Sequence, residues 1–145
     1  RWIFALDMLA EARLCGLRLA SPAWNATLSA LGRAHRWRQV LTIGEQMWRD
    51  GPAPDAATCN ATISALTRAS RWEHALAVPG DMRRRRLEAN VITFVAATTA
   101  CERGGRWELA VHFLSALRRC APESPAAVAA ALRACLRICE RGANW

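Results

Sequence analysis

Residues 25–37 read NATLSALGRAHRW, and residues 60–72 read NATISALTRASRW. The two stretches differ only at Leu28/Ile63, Gly32/Thr67 and His35/Ser70, and they lie 35 residues apart. Working outward, Trp2, Trp37, Trp72 and Trp107 keep the same 35-residue spacing. A third copy of the trailing part, ACERGGRW, ends at Trp107, and CERGANW ends at Trp145, 38 residues later, so the last unit holds three extra residues. A fixed period in the thirties marks one supersecondary unit copied in tandem, which builds a solenoid rather than a globule.

Each unit divides into two helical halves. Trp24, Leu28 and Leu31, then Cys59, Ile63 and Leu66, then Phe94, Thr98 and Cys101 follow i, i+4, i+7 spacing, the mark of a helix with one buried face. Thr98 weakens the third stripe. Polar breaks follow (GRAHR, TRASR, ERGGR), with Gly104 and Gly105 suited to a helix end. A second stripe then opens at each tryptophan: Trp37, Val40, Leu41 and Met47; Trp72, Ala75, Leu76 and Met82; Trp107, Ala110, Val111, Leu114 and Leu117. Trp2, Ala5, Leu6 and Leu9 begin a partial copy. The loops are RDGPAPD, with Pro52 and Pro54 as a helix stop, and RRRRLEAN. Pro79, followed by Gly80, predicts a kink or short break near Val78 to Gly80.

The pattern therefore predicts an all-α fold, a right-handed α-solenoid of stacked antiparallel helical hairpins. It forms a single solenoid over 1–145: a partial repeat at 1–20, full repeats at 21–55, 56–90 and 91–128, and a partial degenerate repeat at 129–145. A lone hairpin cannot bury both stripes, so neighbours must stack. The tryptophans read as packing anchors between paired helices, with base stacking as the alternative. The chain starts and stops inside a unit, so a fragment of a longer protein is expected.

Composition narrows the function classes. The 145 residues are 52% hydrophobic, enough for a folded core. No apolar run approaches the roughly 18–20 residues needed to span a bilayer. Net charge is +8, and all 20 basic residues are arginine. A basic, arginine-only surface favours polyanions such as nucleic acid. The six cysteines form no CxxC pair and the three histidines are scattered, so neither a metal site nor a cofactor is expected. Cys59, Cys101 and Cys139 fall at apolar positions and read as buried free thiols. No nucleophile elbow, P-loop, paired catalytic carboxylates or zinc spacing is present, so no enzyme is expected.

The 35-residue unit resembles the pentatricopeptide repeat, a helical hairpin with a VTYNxLIxAxxxxGxxxxAxxLxxxMxxxGxxPD pattern. TYN becomes AWN at Asn25, TCN at Asn60 and TFV at Val95. The PD ending stands at Pro54-Asp55, and the second-helix methionine stands at Met47 and Met82 and becomes Leu117. The resemblance implies single-stranded RNA binding, one base per repeat, along a concave face lined by first helices, in a mitochondrion or plastid. It implies base reading by the pairs Asn25/Asp55 and Asn60/Asn90, the first favouring uracil and the second a pyrimidine, with Pro22, Ala57 and Ile92 flanking the bases. An amide offers donors and acceptors to a Watson–Crick edge. Val95 departs from the pattern, and Arg133 at the same place in the last unit suits phosphate contact.

Other readings stay open. Asn25 and Asn60 also fit helix starts, and Asp55 and Asn90 also fit helix caps. The run Arg83 to Arg86 fits either a solvated helix end or phosphate attraction. A protein-interaction scaffold of the tetratricopeptide type is the alternative function. A monomer with no small-molecule substrate and no membrane partner is expected.

Overall fold

The computed structural model describes residues 2–17, 20–50 and 54–142. Among them are eight helices: α1 (Trp2–Leu14), α2 (Ser21–Arg33), α3 (Trp37–Asp50), α4 (Ala56–Arg68), α5 (Trp72–Arg84), α6 (Val91–Gly104), α7 (Trp107–Cys120) and α8 (Pro125–Gly142). The architecture is an all-α repeat solenoid. The boundary expected between residues 128 and 129 falls inside α8, whose first turn begins at Pro125. Pro52 and Trp145 lie outside the described residues.

The two stripes build the core. Trp24, Leu28, Leu31, Ile63, Leu66, Val40 and Met47 are buried together. Each such side chain contributes roughly 1.5–3 kcal/mol on leaving water. Thr98 does not weaken its stripe: it is buried, and its Oγ1 donates to the Phe94 carbonyl at 2.8 Å. That bond satisfies the hydroxyl and lets it pack as a small residue.

The turns repeat as well. His35, Ser70 and Gly105 occupy the same place in successive units, and all take left-handed backbone with φ of 57°, 62° and 66°. Gly16 and Arg86 do so at the other turn, with φ of 73° and 59°. Left-handed residues at helix C-termini let the chain reverse within a few residues.

First helices form one row, in which α2 meets α4, α4 meets α6 and α6 meets α8. Second helices pack mainly on the first helices on either side; among the described residues their backbones do not approach one another closely, although side chains such as Trp37 and His74 meet. First helices are thus the row with the closer neighbours. Gly32 permits part of that closeness, since a Cβ there would sit 2.6 Å from the Ala65 Cα.

Three expectations need correction. The helix does not break near Pro79: α5 is continuous from Trp72 to Arg84. Ala75 and Met82, buried on either side of the proline, hold it in place. Cys139 is exposed rather than buried, because Ile138 takes the inward position on α8. Trp107 is 52% exposed and does not serve as an anchor in the way that the half-buried Trp2, Trp37 and Trp72 do.

Those three anchors follow one rule. Arg36 lies 4.5 Å from the ring of Trp2, Arg71 4.3 Å from Trp37, and Arg106 5.2 Å from Trp72. Arg36, Arg71 and Arg106 thus each reach back over the tryptophan that opens the preceding second helix. Guanidinium groups within about 6 Å of an indole face are attracted by the ring quadrupole.

Candidate nucleic-acid interface

The junction between α4 and α6 assembles one expected pair. Asn90 sits in extended backbone before α6, and its side chain accepts from the Thr93 N–H at 3.1 Å. The Asn90 N–H donates back to Thr93 Oγ1 at 3.2 Å, completing a capping box. Asn60, near the start of α4, donates from Nδ2 to Asn90 Oδ1 at 3.1 Å. Asn60 Oδ1 accepts from the Thr93 hydroxyl at 2.5 Å. Asn60 and Asn90, 30 positions apart, therefore form one polar cluster. Asn60 is 6% exposed, whereas Asn90 is open to solvent. The cluster leaves one Asn60 amide hydrogen and one Asn60 Oδ1 lone pair, while Asn90 Oδ1 is filled by the Thr93 N–H and the Asn60 amide.

The α2–α4 junction has the same parts in a different state. Asp55 caps α4, accepting from the Thr58 N–H at 2.9 Å and from the Thr58 hydroxyl at 3.0 Å. The Thr58 N–H, followed by its hydroxyl, holds the Asp55 carboxyl below its usual range, against a smaller opposing effect of burial. A threonine hydroxyl has one proton to give, and a carboxylate attracts it more strongly than an amide oxygen does. In the next unit the corresponding hydroxyl lies 2.5 Å from Asn60 Oδ1 and 3.1 Å from Asn90 Oδ1. Here the proton goes to Asp55, and Asn25 Oδ1 is buried with no hydrogen-bond partner among the described residues. An unmet buried acceptor costs about 1–3 kcal/mol. It is a standing preference for an incoming N–H.

The flanking positions are open: Pro22, Ala57 and Ile92 are all exposed, Ile92 by 63%. The third junction differs in kind. Val95 packs against the apolar cluster of Leu114, Leu117 and Ala131. Arg133 is exposed on α8. Nearby, Arg137 grips Glu102 with two bonds, at 2.7 and 3.0 Å.

Sequence reasoning passed over Thr58 and Thr93. Their signal was present: Asp55-Ala-Ala-Thr58 and Asn90-Val-Ile-Thr93 place a hydroxyl three residues after a cap, the capping-box spacing. The buried thiols Cys59 and Cys101 are held protonated by desolvation, Cys101 pushed up to about 12. Among the described residues, no group of three or more His, Cys, Asp or Glu is placed to hold a metal ion. No described helix is long and apolar enough to cross a membrane.

The basic run divides. Arg84 pairs with Asp81, Arg85 lies 3.7 Å from the ring of Trp48, and Arg83 and Arg86 face a groove between α5 and α7.

Comparison with protein families finds the PPR repeat at residues 22–52 and again at 57–87. These two segments contain the Asn25 and Asn60 positions and the left-handed turns at His35 and Ser70. No curated protein matches the chain.

Proposed function

Taking as premise that the chain is a PPR repeat protein, we propose that it binds single-stranded RNA along the row of first helices and reads bases at two junctions. Asn25 with Asp55 forms one reading site and Asn60 with Asn90 the other. The observation that carries this reading is the in-register recurrence of Asn25 and Asn60 within the two matched repeats; the Asn25 oxygen, which has no partner among the described residues, must turn outward to meet a base. Uracil offers an N–H at N3, the donor that this oxygen lacks. Asn60 is already satisfied through Oδ1, so its free amide hydrogen does the reading, toward a pyrimidine carbonyl. Exposed Ile92 flanks the second site with an apolar surface, and Ala57 stands between the two. Pro22 flanks the first.

Arginines add phosphate attraction, including Arg133 on α8. Guanidinium groups suit phosphate oxygens in paired geometry. The chain acts by binding, with no catalytic step of its own, and serves transcripts of an organelle, a mitochondrion or a plastid. It works as a monomer. Base preference at each junction belongs to this proposal alone.

Titration of labelled oligo(U), oligo(C) and oligo(A) tests it. Asn25→Ala removes an acceptor worth about 1 kcal/mol, so the preference for oligo(U) over oligo(A) falls roughly fivefold. Asn60→Ala lowers the preference for both pyrimidines, while total binding at low salt changes less. Parental discrimination in both variants ends the base-reading proposal.

A further inference from the structure

We propose that the groove between α5 and α7, on the side away from the first-helix row, docks an acidic, leucine-bearing peptide segment of a protein partner. The groove has a volume of about 500 Å³, within the usual range of ligand sites. It exists because the backbones of α5 and α7 do not approach each other closely. Pro79 and Gly80 line it from α5 with little bulk, and a Cβ added at Gly80 would meet nothing within 4 Å.

The lining is divided along its length. Arg83 lies in the last turn of α5, Arg119 in the last turn of α7, and Arg86 in the turn that follows α5. All three are exposed, and none enters an ion pair among the described residues. Toward the other end, Leu76, Leu109 and Phe94 give an apolar floor. Glu88 is the one acidic residue of the lining.

The groove one repeat earlier, between α3 and α5, provides the contrast. It measures about 230 Å³, carries Glu45 and Asp81, and is closed by Arg85 lying on Trp48 at 3.7 Å. The same architecture is therefore neutralised and closed in one unit, and cationic and open in the next. Arg86 adds a further sign. It keeps left-handed backbone, with φ of 59°, at a turn position that Gly16 holds two repeats earlier. A side chain there is held against its own conformational preference.

The occupant follows from this chemistry. Three guanidinium groups at one end suit carboxylates, which they grip in paired bonds. Leucine side chains fit the apolar floor beyond them. Single-stranded RNA fits less well: a phosphate track needs positive charge continued from groove to groove, and the preceding groove carries Glu45 and Asp81.

The test uses fluorescence anisotropy with the chain as it stands and a fluorescein-labelled 12-residue peptide that alternates leucine with glutamate. Saturable binding in the micromolar range is expected. Arg83→Glu with Arg119→Glu should weaken it at least roughly tenfold, and so should replacing the peptide's glutamates with glutamines. Gly80→Leu should obstruct the groove and weaken binding without disturbing any packed neighbour. Arg86→Gly should weaken binding while the thermal midpoint stays level or rises, which excludes misfolding as the cause. Absence of saturable binding below about 1 mM overturns the proposal. Equal binding by parent and all variants also overturns it. So does displacement of the peptide by oligo(U) that survives Asn25→Ala and Asn60→Ala but not the double charge reversal, since the groove would then be a phosphate site.

Discussion

At the scale of single residues, the caps separate the α2–α4 junction from the α4–α6 junction. Thr58 gives its hydroxyl proton to a charged cap, Asp55, whereas the Thr93 hydroxyl reaches both its neutral cap Asn90 and Asn60. Asp55→Ala should cost about 1 kcal/mol of stability at neutral pH, because the Thr58 N–H loses its cap. The pH dependence follows from the lowered Asp55 carboxyl. A depressed folded-state value means that the contribution is present above the unfolded value, near 3.8, and is lost as pH falls through the lower folded value. Asp55→Asn, a neutral cap like Asn90, should therefore hold stability near the parent's at neutral pH and lose less of it below about pH 4. Thermal midpoints measured across that range check both outcomes.

At the scale of elements, the second helices are tied to their neighbours through arginine and tryptophan. Arg71 over Trp37, at 4.3 Å, links the turn before α5 to the start of α3, and His74 of α5 adds a ring 5.3 Å from the same indole. The backbones of second helices stay apart, so these side-chain stacks help tie them together. A double-mutant cycle of Arg71→Ala and Trp37→Ala should give a coupling of about 0.5–1 kcal/mol. Denaturant titrations of the four proteins provide the measurement, and additive losses would show that the stack carries no energy. Pro79 belongs to this scale too. Its local preference is to end a helix, yet the burial of Ala75 and Met82 keeps α5 whole.

At the scale of the whole molecule, charge and layering assign different partners to different faces. The net charge of +8 arises from arginine alone. On our reading, the first-helix row meets RNA, and the gap between α5 and α7 meets a peptide. The RNA-facing part should show the salt dependence of counterion release: the logarithm of the affinity should fall linearly with the logarithm of salt, with a slope of about −0.7 per phosphate contacted on a single strand. Arg133→Ala should make that slope shallower by a fraction of one contact and leave base preference unchanged. Titrations of oligo(U) at several salt concentrations measure both quantities.

The hairpins, their order and their buried stripes were legible in the residues alone. A 35-residue period with apolar positions on one helical face has one economical solution, because neither stripe can leave water unless the units stack. The caps were half legible, since Asp55 and Asn90 stood in register and Thr58 and Thr93 stood three positions on. Other features depended on the distance between non-adjacent helices, which a linear pattern does not encode. Packing of Gly32 on Ala65 draws α2 to α4, and at the next junction the packing of α4 on α6 brings Asn60 to Asn90 and Thr93. Separation of α5 from α7 opened the arginine-lined groove. The sequence by itself thus determined which elements form and which faces they bury, through short-range periodicity. Only the tertiary structure decided which polar atoms are satisfied, because that depends on which side chains from distant units arrive within about 3 Å of each other.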